Sequence, residues 1–410
     1  MRLRVGTPVW LVSGPAAGRL KAAPKLTGSH DADVVIVGGG MTGAGIAHVF
    51  AAAGLRVVLV EAKLVGRGST GASTALLMQE TDEELGSLAE RYGHARAARI
   101  WELSRSAARD LIATIRRLQI RCDLEERASV YYTRDPEAVA GLWEECRRRQ
   151  RAGFSAAWLS PQALLSQTCV VGHGAIRSTG NAQFDPYRAC IGLLDAAARQ
   201  GARIFERSPV RRIDRTRAGV TVRTPKGTIS AQRVIIATGF ATPAFKPLAG
   251  RFSLKHTYVL ATAPADRRQR ARLGLPDVLL WDTRRPYHYA RWTADHRLLL
   301  GGNDRSVVPP ARRHQAFATG TRKLRAYFDA LFPALQDIES ELAWEGLFAV
   351  TPDGLPYIGP HRRYPRHLFA LGYGGNGMTF GFLAARLLLD AVRDMPNLDL
   401  QPFAFSRARS

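Results

Sequence analysis

The chain has 410 residues, 46% of them apolar and 23% charged, which supports a large core and excludes a disordered or low-complexity polymer. Its formal charge is +23, from 58 basic against 35 acidic residues, and only seven of the basic residues are lysines. That balance fits nucleic acid, an anionic surface, an anionic substrate or plain compositional bias. Four cysteines, at 122, 146, 169 and 190, have no C-x-x-C spacing. They argue against a zinc site or a disulfide framework, and for a reducing cytoplasm. No window approaches the roughly 18 apolar residues that a membrane span needs.

Residues 1–30 are turn-rich and read as an N-terminal arm, whose apolar stretch Val9-Trp10-Leu11-Val12 is too short for a signal segment. Val34-Val35-Ile36-Val37 is a β-branched run of the kind buried on both faces of a sheet. It runs into Gly38-x-Gly40-x-x-Gly43, which opens an apolar helical segment from Ile46 to Ala53, closed by Gly54. A second buried strand follows and ends at Glu61, 23 residues after Gly38. This is a βαβ unit in which Gly38 permits the tight turn, Gly40 lets a pyrophosphate approach the backbone and Gly43 lets helix and strand pack closely. Met41 and Thr42 complete the turn at the helix N-terminus, where N–H groups favour phosphate oxygens. Glu61 stands where an acid takes a ribose hydroxyl, which disfavours a 2′-phosphate and hence NADP and leaves NAD or FAD.

The next segment, Gly66 to Thr74, is dense in small donors, with Ser69, Thr70, Ser73 and Thr74 suited to wrapping a pyrophosphate and flavin. Residues 83–118 have near-helical spacing, 129–133 a strand and 136–151 a charged helix. A helix over 189–199 precedes strands from Ile204 onward, with Val210 a further candidate contact to the cofactor. A third apolar strand, Val234 to Ala237, runs into Thr238-Gly239 and reads as a return strand passing the cofactor, in favour of FAD. Strands are expected over 256–262, 278–281, 287–292 and 297–300, then a strand, a Gly-rich loop and a helix over 378–392. The expected class is α/β (α+β overall): a Rossmann-like FAD-binding domain with an inserted substrate domain on a mixed or antiparallel sheet. The FAD-binding domain takes 31–82, 178–250 and 345–395, the substrate domain 83–177 and 251–344, and 396–410 form a tail.

These motifs, with Phe184-Asp185-Pro186, Trp344-Glu345-Gly346, the run from Thr351 to Gly359 and Gly372-Tyr373-Gly374-Gly375-Asn376-Gly377-Met378-Thr379, resemble the D-amino-acid oxidase superfamily of FAD-dependent oxidoreductases. Trp10, the Gly68–Thr74 loop and Tyr287-His288-Tyr289-Ala290-Arg291 look most like its gamma-glutamylputrescine-oxidase-like branch. The resemblance implies bound FAD, with Gly374, Gly375, Asn376, Gly377, Met378 and Thr379 near the flavin pyrimidine edge. There the helix N-terminus would stabilise negative charge on the ring.

Departures from the family bear on the substrate. Amino-acid-oxidising relatives often clamp the substrate carboxylate with an Arg where this chain has Leu347-Phe348-Ala349-Val350. Arg291 is the expected substitute, because strand alternation places it on one face with Tyr287 and Tyr289. Tyr289 and Arg291 are therefore the candidate catalytic pair. Relatives that attach flavin covalently do so through a Cys at the place of Gly346, so FAD is expected to be non-covalent. The Lys that activates oxygen in those relatives aligns with Leu299. His256, His288 and His361 read as packing or surface histidines. The resulting expectation is oxidation of an amine or amino acid by hydride transfer to flavin, with oxygen as acceptor. The alternatives are a dehydrogenase with a quinone or electron-carrier partner, and a tRNA-modifying flavoprotein that would use clusters such as Arg147-Arg148-Arg149 and Arg267-Arg268.

Overall fold

Val34, Val35, Ile36, Val57, Val58, Leu59, Val234, Ile235 and Ile236 are all buried, and they divide by parity between two cores. Val34, Ile36, Val57, Leu59 and Ile235 pack among helices on one face, while Val35, Val58, Val60, Val234 and Ile236 pack on the other. Successive side chains of a strand point to opposite faces, so unbroken apolar runs are what a sheet covered on both sides requires. In the computed structural model, which describes residues 4–12, 23–273 and 278–407, this sheet has eight strands. Its centre is parallel: Tyr364–Leu371, Gly227–Gly239, Gly28–Val37, Val57–Val60 and Arg203–Phe205 lie side by side in that order. The helices Met41–Ala52, Pro186–Arg199 and Gly377–Val392 contribute the residues that cover one face.

The second sheet has ten strands and is antiparallel except where Leu279–Asp282 pairs with Glu125–Thr133. One face packs on the helix Arg313–Leu331 through Tyr258, Leu260, Leu324 and Phe328. The other face, through Val259, Ala261, Leu299 and Trp344, meets Ala72 of the short helix Ser69–Ala72 and Val9 of the arm. The two sheets thus hold the Gly66–Thr74 segment between them. The architecture is the expected one of a Rossmann-like layer joined to a mixed-sheet layer.

Several expectations need correcting. The 83–118 helix is two helices, Leu85–Tyr92 and His94–Arg117, because Gly93 has φ +82°, which a right-handed helix cannot contain. The arm is partly sheet: Arg4–Gly6 pairs antiparallel with Ser340–Val350, and Gly28 to His30 already belong to the Gly28–Val37 strand. Residues 13–22 of the arm and 408–410 of the tail lie outside the described residues. The boundaries at 178 and 345 each cut a strand of the second sheet, Gly174–Gln183 and Ser340–Val350. The described part of the tail is packed against the body of the fold. Phe403 is fully buried, and the Arg407 guanidinium grips Asp353 (2.6 and 2.9 Å) with the Leu355 and Pro356 carbonyls. Among the described residues no helix is long and apolar enough to cross a membrane.

Candidate functional site

The C-terminal ends of the Gly28–Val37 and Gly227–Gly239 strands converge on the first glycine motif, the usual ligand position in an open parallel sheet. Gly38 has φ +116°, and a Cβ there would lie 2.5 Å from the Ala237 carbonyl oxygen. A Cβ on Gly43 would lie 1.9 Å from the Gly38 carbonyl oxygen, so the helix can sit against the turn only with glycine at this position. No side chain caps the helix at Gly40. Met41 N–H instead donates to Thr70 Oγ1 (2.9 Å). Glu61 accepts from Gly39 N–H (2.9 Å) and Lys63 N–H (2.8 Å), which fixes its carboxylate at the mouth of the turn.

The Gly66–Thr74 segment is held by its carbonyls. Trp10 Nε1–H donates to Ser73 O (2.7 Å), Trp344 Nε1–H to Ala72 O (2.8 Å) and Arg291 Nε–H to Thr74 O (2.6 Å). Ser69 donates to Leu347 O (2.8 Å) and Ser73 Oγ accepts from Ala75 N–H (3.0 Å). Three of the four side chains expected to meet a cofactor, Ser69, Thr70 and Ser73, therefore also hold the segment in place.

Arg291 is corrected as a substrate clamp. It is 2% exposed and contributes nothing to the cavity wall. Its guanidinium bridges Thr74 O and Phe184 O (2.9 Å) and lies over the Trp10 ring at 4.9 Å. Strand alternation gives the face correctly, but the arm and the Gly66–Thr74 segment cover that face at Arg291 and leave it open at Tyr289. Burial lowers the Arg291 pKa to about 9, against the pull of Asp185, Glu125 and Asp123, so it stays charged at neutral pH.

A cavity of about 710 Å³ runs from this cradle to the second sheet. Of the expected cofactor residues, Gly38, Gly40, Met41, Thr42, Glu61, Ser69, Thr70, Ser73, Thr74, Val210, Thr238, Gly239, Gly374, Gly375, Asn376, Gly377 and Met378 line it. Gly43 lies beneath the turn and not on the wall. Thr379 is fully buried off the wall, and its hydroxyl donates to Met78 O (2.6 Å). In the Gly-rich loop, Gly374 N–H donates to Ala349 O (3.0 Å) and Gly375 N–H to Asp82 Oδ2 (2.6 Å). The first-turn N–H groups of the helix Gly377–Val392 have no partner within the helix and begin at the wall.

At its other end the cavity is aromatic and acidic. The strand expected over 287–292 begins only at Tyr289, so Tyr287 precedes it, and both tyrosines line the wall with Trp281, Phe348 and Thr257. Tyr289 Oη and Thr257 Oγ1 are 3.0 Å apart, and Tyr287 Oη lies 3.5 Å from Asp82 Oδ1. Sequence reasoning missed Asp82, Asp304 and Glu80, which also line this end. The available signals were slight: Asp82 sits in an acidic run after the small-residue segment, and Asp304 lies in the polar half of the strand Leu298–Ser306, which loses its apolar character at Gly301. Burial raises both aspartates to about 6. The Gly375 N–H and Arg285 oppose the rise at Asp82, and Thr257, His288 and Lys255 oppose it at Asp304.

A stability effect follows. The folded carboxyls hold their protons more tightly than unfolded ones, whose pKa is about 4, so their contribution is greatest at low pH and is lost as pH rises through about 6. In substrate-free protein, Asp304→Asn is expected to raise the melting temperature relative to wild type at pH 8, with the difference shrinking toward pH 4. A pH-independent difference would contradict this assignment.

Leu299 is fully buried among Val9, Ala72 and Trp344 and does not line the cavity. Gly346 does line it and offers no sulfur. His288 stacks on Tyr327 (ring centroids 3.9 Å) with Nδ1 3.1 Å from Asp282, and His256 is buried beside Glu345. His361 stands edge-on to Phe405. Among the described residues no group of three His, Cys, Asp or Glu could hold a metal.

The cradle fits FAD. It is closed to side chains at Gly38 and Gly43 and carries Glu61 and Thr70 at its mouth, and its volume is ordinary for a cofactor site. A family model described as FAD dependent oxidoreductase matches residues 33–391. Gamma-glutamylputrescine oxidoreductase of Escherichia coli (strain K12) is 29% identical over 385 residues, covering 92% of this chain and 88% of the relative. Glycine oxidase of Geobacillus kaustophilus (strain HTA426) is 26% identical over 387 residues, covering 92% and 98%. The crystal structure of glycine oxidase from Geobacillus kaustophilus matches with a TM-score of 0.76 at 24% identity, over 93% of this chain and 100% of that one. That of L-proline dehydrogenase from P. horikoshii matches at 0.75 and 18% identity, over 92% and 97%. These structural likenesses establish the shared fold.

Proposed function

Because the chain belongs to the FAD dependent oxidoreductase family, we propose that it oxidises a C–N bond of an amine or amino acid, with oxygen as acceptor. The carrying observation is one continuous cavity that joins the Gly38–Glu61 cradle to the aromatic and acidic wall at Tyr287, Tyr289, Asp82 and Asp304. Bound FAD supplies the two-electron chemistry, accepting hydride from the carbon beside the nitrogen. The protein's share is positioning. Gly38, Gly40, Met41, Thr42 and the first helix hold the pyrophosphate, Glu61 the ribose, and the segment with Ser69, Thr70, Ser73 and Thr74 wraps the cofactor. Val210, Thr238 and Gly239 pass along it, and Gly374 to Met378 close on the ring. Tyr289, with Tyr287 and Trp281, shapes the pocket for the amine. The substrate loses two electrons and two hydrogens to give an imine, and water converts the imine to a carbonyl with release of ammonia or the remaining amine. The two electrons and two protons convert oxygen to hydrogen peroxide. The free thiols at Cys122, Cys146, Cys169 and Cys190 support a reducing, cytoplasmic setting.

The purified protein is expected to be yellow and to release its flavin on acid or heat denaturation, because Gly346 offers no covalent attachment. Anaerobic mixing with a panel of amines and amino acids should bleach the flavin, and air should restore it. Flavin that stays with the precipitate refutes non-covalent binding, and no bleaching across the panel refutes the reaction. Slow return in air with rapid return on quinone would assign the dehydrogenase alternative. The nucleic-acid reading loses support from one side chain. Arg149 turns inward, fully buried against Glu145 (2.7 Å) and over the Trp101 ring, so Arg147-Arg148-Arg149 is not a single basic surface.

A further inference from the structure

The aromatic end of the cavity wall carries three carboxylates, Glu80, Asp82 and Asp304, and among the described residues no basic side chain, the guanidinium of Arg285 standing off the wall at 5.9 Å from the Tyr287 ring centroid. Among the described residues Lys63 is the one basic side chain on the cavity wall, and it follows Glu61 in the nucleotide cradle. Glu80 is 3% exposed. Its Oε1 accepts from Ser129 Oγ (2.7 Å) and Asn181 Nδ2 (3.3 Å), while its Oε2 is buried with no partner. Asp304 Oδ1 is likewise buried and unpartnered. Burying carboxylate oxygens without donors is costly unless a ligand supplies them. The walls between are the rings of Trp281, Tyr287 and Tyr289, whose faces attract cations, with Trp281 and Tyr287 6.3 Å apart and Tyr287 and Tyr289 5.8 Å apart.

The chemistry of amine oxidation decides which cation. Hydride leaves the carbon with help from the lone pair on nitrogen, so the reacting nitrogen must be neutral. A nitrogen held as an ammonium ion by carboxylates has no lone pair to give. The carboxylates therefore serve a second, non-reacting cation. An α-amino acid fits poorly, because its carboxylate would meet like charge and Arg291 is turned away into the Thr74 and Phe184 carbonyls. We propose that the substrate is a diamine or polyamine whose non-reacting ammonium group is held by Glu80, Asp82 and Asp304 within the Trp281–Tyr287–Tyr289 wall. This deepens the amine-oxidation reading and rests on it.

The test compares diaminobutane and spermidine with butylamine, glycine and D-alanine as reductants of the FAD-loaded protein under anaerobic conditions. It also titrates a quaternary diammonium alkane, which has no lone pair and can only bind, by its effect on the flavin absorbance. Diaminobutane is expected to exceed butylamine in second-order rate of flavin reduction by roughly tenfold to a hundredfold, the range of one or two charge-assisted hydrogen bonds. Asp304→Asn should reduce that ratio and weaken binding of the quaternary probe by a similar factor, and Glu80→Gln gives the same comparison should the first variant misfold. A ratio near one, or preference for an amino acid, with bleaching intact overturns the substrate class and leaves the oxidation standing. If nothing bleaches the flavin, the oxidation falls and the probe decides the site. Saturable binding weakened in Asp304→Asn supports a dication site, and no binding ends it.

Discussion

Gly43→Ala is expected to give a folded protein that purifies without FAD. The new Cβ would stand 1.9 Å from the Gly38 carbonyl oxygen and 3.1 Å from its carbon, and both atoms are backbone. Neither can rotate aside, so the helix Met41–Ala52 must back away from the turn by more than an ångström to restore ordinary contact. That displacement carries Met41 N–H off Thr70 Oγ1 and takes the helix N-terminus out of reach of the pyrophosphate. A loss of roughly a hundredfold in FAD affinity, about 3 kcal/mol, is the expected scale. The readout is the ratio of flavin to protein absorbance after gel filtration, followed by titration of the apoprotein with FAD. Gly141→Ala serves as control: Gly141 lies in the Val139–Arg151 helix with nothing within 4 Å of an added Cβ, so its FAD content should match wild type. Gly43→Ala with wild-type FAD content would show that the turn has slack the contacts do not show.

The same glycine illustrates what could be read from the chain alone. Its role depends on neighbours a few residues away, and the flanking strands announce themselves by β-branched runs that must be buried on both sides. Local spacing therefore located the cradle, the strand carrying Thr238 and the final Gly-rich loop. What it could not locate depends on segments far apart in the chain. Alternation put Arg291 on the face of Tyr289, yet only the folded arm reveals that Trp10 covers one and leaves the other on the cavity wall. Asp82 and Asp304 are 222 positions apart, outside any periodic pattern, and meet because the second sheet brings its strand end against the loop at Gly375. Gly93 sat inside a helical pattern as a tolerable residue until its positive φ broke the helix. The tail gave no sign that Arg407 would close on Asp353. There burial is overcome by Arg407, with help from Tyr92 and the Leu355 N–H, and the carboxyl is held down at about 2.

The second large effect concerns Arg291. Arg291→Ala is expected to lower stability and FAD retention together while leaving substrate affinity of the loaded fraction unchanged. The substitution leaves Thr74 O and Phe184 O without their donor and opens a void under Trp10. Two unpaired buried carbonyls and the void cost more than the relief of burying a charge, so about 2–4 kcal/mol of destabilisation is expected. The consequence reaches the cofactor because Thr74 ends the segment that lines the cavity, and the tethers nearest to it that remain are the Trp10 and Trp344 bonds to Ser73 and Ala72. Arg291→Lys keeps the charge and loses the fork that spans both carbonyls, so it should recover only part of the loss. Thermal melts and FAD titration of each variant test the structural half. Equilibrium binding of a non-reducing amine to the loaded protein tests the rest. A clamp would give the opposite pattern, with FAD retained and substrate affinity lost, and that outcome would return Arg291 to the substrate's side of the wall.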